Sequence, residues 1–231
     1  MNTKFLITAD SNRSALLKKK IIHYYIANGD ATIAELCKEM DLSIPTVTKL
    51  VGELLDDGYI LDFGKQETNG GRKPNIYGLN PVSGYFVGVD VFRSKINIAA
   101  VDFKGDKLRV EENIPYSLEN TPEALEMLCN LINDFIDRLS VPREKVLAVG
   151  VNISGRVNPV SGYSYSIFYF EEKPLSQILE ERIKIKIYIE NDTRAMMYGE
   201  YMQGVVKGEK NILFINMGWG LGLSIFINNG F

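Results

Sequence analysis

The chain has 231 residues, 45% of them hydrophobic and 24% charged, with 26 basic and 29 acidic side chains for a net charge of −3. At about 100–200 residues per domain this is one large domain or two modest ones, and the composition excludes disordered, collagen-like and low-complexity chains. Two cysteines, Cys37 and Cys129, cannot make a disulfide framework, no CxxC spacing marks a zinc site, and no apolar run nears the roughly 20 residues of a membrane span. The expected setting is cytoplasmic, with no secretion signal and no membrane partner. Division at Asn80 leaves 10 basic and 10 acidic residues before it and 16 and 19 after, so a nucleic-acid role must rest on where the charges sit.

The first helical pattern runs through Leu16, Leu17, Ile21, Ile22, Tyr24, Tyr25 and Ile26, with Lys18, Lys19 and Lys20 on its other face, and stops at Asn28-Gly29-Asp30. The lone His23 falls in this pattern and is expected to pack in the core. Thr32 followed by Glu35 is a capping box for a second helix, whose apolar face carries Ile33, Leu36, Cys37 and Met40. After Asp41-Leu42, Ser43 is placed to cap a third helix with Pro45 in its first turn. Val47, Leu50, Val51, Leu54 and Leu55 face inward there, and Thr46, Thr48, Lys49 and Glu53 face out. Two helices joined by so short a turn form a helix-turn-helix, and hydroxyls beside a lysine at a helix start suit phosphates and base edges. Strands at residues 59–63 and 75–79 then flank Asn69-Gly70-Gly71-Arg72-Lys73-Pro74, a hairpin tip with two adjacent cations, which completes a winged helix. Ser43, Thr46, Thr48, Lys49, Arg72 and Lys73 are therefore the candidate DNA contacts. A solvated helix bundle with a polar face is the plainer alternative.

From Tyr85 onward the pattern is strand-rich. Strands are expected at 85–91, 95–101 and 107–114, and Thr121-Pro122-Glu123 opens a helix to about Leu139. A buried strand at 146–152 ends at Ile153-Ser154-Gly155. Helix 175–182, strand 185–189, helix 192–203 and strands 211–217 and 223–227 follow, the last two around Gly218-Trp219-Gly220-Leu221-Gly222. Three meandering strands and then alternating helices and strands suggest an α/β lobe of the ribonuclease-H-like, actin type. The chain is thus expected to divide into a winged helix at 1–80 and this lobe at 81–231.

The segment Ile187-Tyr188-Ile189-Glu190-Asn191-Asp192-Thr193-Arg194-Ala195 resembles the V-x-V-x-N-D-x-x-A stretch of the ROK family (repressor, open reading frame, kinase). Val149 to Gly155, with Pro159 and Gly162, is similar to that family's G-I-G-x-P-G stretch, and Gly218 to Gly222 to its second glycine-rich phosphate loop. A winged helix ahead of such a lobe is the layout of the family's sugar-responsive repressors, the NagC, Mlc and XylR group. The family's kinases carry D-x-G-G-T between the first two strands, where glycine N–H groups approach nucleotide phosphates. Here the matching residues are Asp90-Val91-Phe92-Arg93-Ser94, and the Gly-Thr-Gly of the second loop is Gly218-Trp219-Gly220. Both phosphate loops are altered, so the resemblance implies a regulator and no catalytic residues.

The resemblance also implies a sugar or sugar-phosphate effector held by Gly155, Asn191 and Asp192. In family kinases the matching aspartate takes a proton from the sugar hydroxyl, and the asparagine bonds a neighbouring hydroxyl. Either Asn191 or Asp192 equally suits a helix N-cap. The aromatics of Tyr163–Phe170 would wall that pocket or fill core. The family continues into a second lobe with a His/Cys zinc motif, of which nothing is found here, so the chain reads as a fragment without a cofactor. The expectation is a transcriptional repressor of carbohydrate genes, binding operator DNA as a homodimer or higher homo-oligomer. A sugar kinase with an appended domain, or a winged helix that binds protein, are the alternatives.

Overall fold

A computed structural model describes residues 12–65, 74–218, 220–228 and 230. The chain divides into two compact units. The first takes residues 1–86 together with 100–108 and 144–147, and the second takes the rest.

In the first unit, helix α1 (Arg13–Asn28) starts where the Asn12 side chain accepts from the Ser14 N–H at 3.0 Å. It stops at Gly29, whose φ of 78° a side chain would resist. Ile21, Ile22 and Tyr25 form its buried stripe. His23, expected in the core, is exposed: at 100° per residue it points away from that stripe. A two-residue strand β1 (Ala31–Thr32) leads into α2 (Ile33–Met40) through the expected capping box. Thr32 N donates to Glu35 Oε2 at 2.7 Å, and Glu35 N donates back to Thr32 Oγ1 at 3.3 Å.

Helix α3 (Ile44–Asp56) has Pro45 in its first turn and buries Val47, Leu50, Val51 and Leu54. Ser43 occupies the N-cap position but makes no capping bond, because its hydroxyl pairs with Thr46 Oγ1 at 2.8 Å instead. Lys18 crosses from α1 to Glu53 of α3 at 2.7 Å. Strands β2 (Ile60–Lys65) and β3 (Asn75–Leu79) pair antiparallel, with a register shift between Asp62 and Lys65, in a sheet of order β1-β3-β2. Three helices and a hairpin close over one core built on Ile21, Leu36, Leu54, Tyr59 and Leu79, and Phe103 and Leu147 belong to the same buried cluster.

The five-stranded sheet of the lobe has the order β10-β7-β4-β5-β6. Its strands are β4 (Tyr85–Val91), β5 (Lys95–Asp102), β6 (Lys107–Pro115), β7 (Val146–Ile153) and β10 (Ile187–Asn191). Strands β7 and β10 are parallel, Asn191 standing opposite Ile153. Helix α4 (Pro122–Asp137) is capped by Thr121, which accepts from Ala124 N at 3.2 Å, and buries Leu125, Leu128, Ile132 and Phe135. A small hairpin, β8 (Val157–Asn158) and β9 (Tyr163–Ser164), precedes α5 (Leu175–Ile183), and α6 (Asp192–Gln203) begins directly at the end of β10.

Strands β11 (Ile212–Met217) and β12 (Leu221–Phe226) close the described chain as a two-stranded antiparallel sheet. Its alternation is complete. Leu213 faces Ile225, Ile215 faces Leu223 and Met217 faces Leu221, and all six are exposed, while Ser224 and Phe226 are buried on the opposite side. Phe226 packs on Tyr201 of α6 with ring centres 4.8 Å apart. Among the described residues no helix is long and apolar enough to cross a membrane.

Candidate functional site

The first candidate site is the outer side of α3. Thr48 and Lys49 are exposed on it, Lys49 by 78% of its side chain with its ammonium 3.9 Å from Glu53, a loose surface pair. Thr46 is half-buried with its hydroxyl held by Ser43. These four expected contacts therefore gather at one helix start, where backbone N–H groups add to the attraction for phosphate. Arg72 and Lys73 lie outside the described residues. Lys65, Asn75 and Tyr77 of the wing strands, with Pro74 just before β3, border a groove of about 740 Å³ whose other wall is Ile33, Ala34, Ile44 and Thr48. Lys65 and Ile44 were not singled out in the sequence; the first sits at a strand end, and the second reads there as an ordinary helix residue.

The second candidate site lies where β7 and β10 end. Asn191 is the N-cap of α6, its Oδ1 accepting from Arg194 N at 3.1 Å. Its amide donates to the Gly155 carbonyl at 3.0 Å and to Asp192 Oδ1 at 3.0 Å, so both N–H groups are engaged. Asp192 Oδ1 also accepts from Thr193 N at 2.7 Å. No such bond is seen to Asp192 Oδ2 among the described residues. Gly155 has φ 93°, and an added Cβ would strike Ser166, whose hydroxyl accepts from Arg156 N at 2.9 Å. Gly155, Asn191 and Asp192 are thus one hydrogen-bonded group, and the capping and binding readings of Asn191 fall on the same side chain.

Around them is a cleft of about 630 Å³ lined by Gly155, Arg156, Val157, Tyr165, Asn191, Arg194 and Leu223. Arg156 and Arg194 give it two cations that no sequence pattern had marked. The aromatic stretch divides: Tyr165 lines the cleft and stacks on Tyr163 at 6.2 Å, whereas Phe168 is core. Asp90, at the end of β4, is half-buried, and burial followed by repulsion from Asp192 pushes its carboxyl up to about 6, against a smaller opposing pull from Lys95.

The two glycine-rich positions differ in what they retain. At the first, Phe92 N donates to Lys95 O at 2.9 Å in a tight turn, and the Lys95 ammonium lies 5.3 Å from the Phe92 ring. Side chains and a closed turn therefore occupy the position where the family's kinases present bare glycine amides. At the second, Gly218 N bonds Gly220 O at 3.0 Å, and Trp219 lies outside the described residues. Gly222 is held to glycine by contact, since a Cβ there would run into Thr193 at the start of α6. Among the described residues no group of three or more His, Cys, Asp or Glu is placed to hold a metal ion.

Family models match both parts: a winged helix-turn-helix DNA-binding model over residues 16–60 and the ROK family model over residues 86–231. The fold is therefore that of a winged helix joined to a ROK lobe, and the chain belongs to the ROK family. It is 25% identical over 214 residues to the xylose repressor of Bacillus subtilis, covering 92% of this chain and 55% of that protein. It is 27% identical over 205 residues to the Escherichia coli DNA-binding transcriptional dual regulator NagC, covering 87% and 50%. A glucokinase of Streptomyces coelicolor is 32% identical over 148 residues, which covers 63% of this chain and 44% of the kinase. In structure, a ROK family regulator homologous to the E. coli Mlc protein superposes with a TM-score of 0.71 at 21% identity, over 93% of this chain and 56% of its own. The chain spans about half the length of the curated relatives it matches.

Proposed function

We propose that this chain is the DNA-reading and effector-sensing part of a transcriptional regulator, a repressor of carbohydrate genes released or engaged by a sugar or sugar phosphate. The observation that carries the reading is the exposed Thr48–Lys49 start of α3, set on a winged helix, in one chain with a cleft whose polar floor is Asn191, Asp192 and Gly155. The relatives named as repressors, which the chain matches across both parts, support it. The mechanism is linkage: an effector that binds one arrangement of the protein better shifts the population away from the arrangement that fits DNA. A coupling of about 1–3 kcal/mol changes operator affinity by roughly 5- to 150-fold. The cytoplasm, a homodimeric or larger assembly, and two operator half-sites follow from the same reading.

The test is selection of genomic DNA fragments by the purified protein over a salt series. Enrichment of a defined sequence, with affinity falling steeply as salt rises, is expected. Unchanged binding by Lys49→Ala combined with Arg72→Ala would refute the reader.

One observation favours a second reading, a sugar kinase: Asp192 keeps an oxygen with no hydrogen bond seen among the described residues, Asp90 is retained nearby, and a glucokinase is among the relatives. Phe92 and Arg93 in the first phosphate loop weigh against it. Nucleotide-dependent phosphorylation of a hexose, lost in Asp192→Asn, would favour the kinase.

A further inference from the structure

The outer surface of α3 is poor in the side chains that usually distinguish bases. The helix contains no Arg, Asn or Gln, the residues that pair bidentately with guanine or adenine. The Ser43 and Thr46 hydroxyls share one hydrogen bond, so the pair has a single O–H left to offer beside Thr48 and Lys49. At the first turn, by contrast, Ile44 is 64% exposed. Ile44, Thr48 and Gly52 follow at i, i+4 and i+8 and form one row along the helix, which starts beside the buried Val51 and turns away from Val47, Leu50 and Leu54.

Gly52 supplies a second, independent observation. A glycine inside a helix is unfavourable relative to alanine. Nothing among the described residues calls for it: an added Cβ would meet no atom of theirs within 4 Å, and the backbone lies outside the left-handed region. A bare backbone on an outward row is what the close approach of an external surface requires. The apolar feature that the major groove offers to such a surface is the C5 methyl group of thymine.

Resting on the regulator reading above, we propose that Ile44 is a specificity-determining residue that reads thymine methyl groups. The Thr48 methyl packs beside it, and Gly52 lets the duplex lie close along the row. The wall formed by Lys65 and Asn75 across the groove from Ile44 and Thr48 is then in place for the sugar-phosphate strand.

The experiment selects duplexes with the whole 231-residue protein from two random pools, one made with thymine and one with uracil, which lacks only the methyl group. The thymine pool is expected to yield a sequence with thymine at fixed positions. Changing one of these to uracil should weaken binding about fourfold, the equivalent of about 0.8 kcal/mol for one buried methyl. Ile44→Ala should bind the thymine and uracil duplexes alike, and Gly52→Leu should melt higher yet bind every duplex less tightly. Equal affinity of the unaltered protein for both versions of the selected sequence overturns methyl readout while leaving the regulator standing, and so does full discrimination by Ile44→Ala. Enrichment from neither pool overturns the regulator reading and this inference with it.

Discussion

Asn191 concentrates more bonding than any other polar side chain of the cleft at the ends of β7 and β10. It caps α6 through Oδ1 and ties the Gly155 loop and Asp192 through its two N–H groups. Loss of an N-cap costs about 0.5–2 kcal/mol. Asn191→Ala is expected at or above the upper end of that range, read as a lower denaturation midpoint at unchanged slope. Asn191→Asp keeps the acceptor for Arg194 N but loses both donors, and should fall between the two.

Asp90 gives a pH signature with a definite sign. Its carboxyl titrates at about 6 in the folded chain, against an ordinary value of 3.8. Between these values the folded state holds more protons than the unfolded one, so stability falls as pH rises from about 4 to about 6. Discounted for partial exposure, the effect is about 1–2 kcal/mol. Asp90→Asn should flatten that slope and raise the midpoint at neutral pH; an unaltered pH profile would refute the assignment. Residue identity alone could not show this, because it depends first on the burial of Asp90 in the fold and then on Asp192 being brought near from 102 positions along the chain.

At the scale of elements, local chemistry was largely legible. Thr32 and Glu35 form the capping box their spacing announces, and Thr121-Pro122 opens its helix as read. Thr32→Ala is accordingly expected to cost about 1 kcal/mol. The Thr32 bonds also hold the Glu35 carboxyl below its ordinary value. Their contribution is present above that ordinary value and is lost as pH falls through the lowered one, a dependence the variant should lack. The misreadings have one cause, competition for a side chain or a face. Ser43 gives its hydroxyl to Thr46 instead of the helix, and His23 is turned outward by a stripe already filled by Ile21, Ile22 and Tyr25. Strand β12 begins at Leu221, two residues earlier than alternation suggested, because Leu221 and Gly222 pair with Met217 and Asn216 of β11.

The bare side of the β11–β12 sheet makes a further expectation at this scale. Three facing apolar pairs form a continuous exposed patch, of the kind that binds hydrophobic dyes. Ile215→Lys with Leu223→Glu, a facing pair of opposite charge, should reduce anilinonaphthalene sulfonate fluorescence without lowering the melting temperature.

At the scale of the molecule, the winged helix is not confined to the first eighty residues. Phe103 packs on Tyr59 with ring centres 5.6 Å apart, and Leu147 joins the same core, although the first comes from the turn after β5 and the second from β7 of the five-stranded sheet. Contacts between residues so far apart in sequence leave no local pattern, which is why composition placed the break near Asn80. An isolated fragment of residues 1–80 lacks both side chains and should unfold at lower denaturant than the winged helix does in the whole chain. Equal midpoints would show that Phe103 and Leu147 add nothing.

The Asn191 bracket sets the terms on which any hydroxyl-rich ligand can be admitted. Because both amide hydrogens are already engaged, a newcomer that uses them must displace the Gly155 carbonyl or the Asp192 carboxylate. For such a newcomer entry is an exchange of partners with little net gain in hydrogen bonds, whereas one that donates to Asp192 Oδ2 displaces no bond seen among the described residues. In the exchange, affinity has to come from shape and from water released off the walls, and speed from how often the Gly155 tether lets go. A ligand able to take over the freed Gly155 carbonyl would be favoured over one that cannot, a difference read in its dissociation rate.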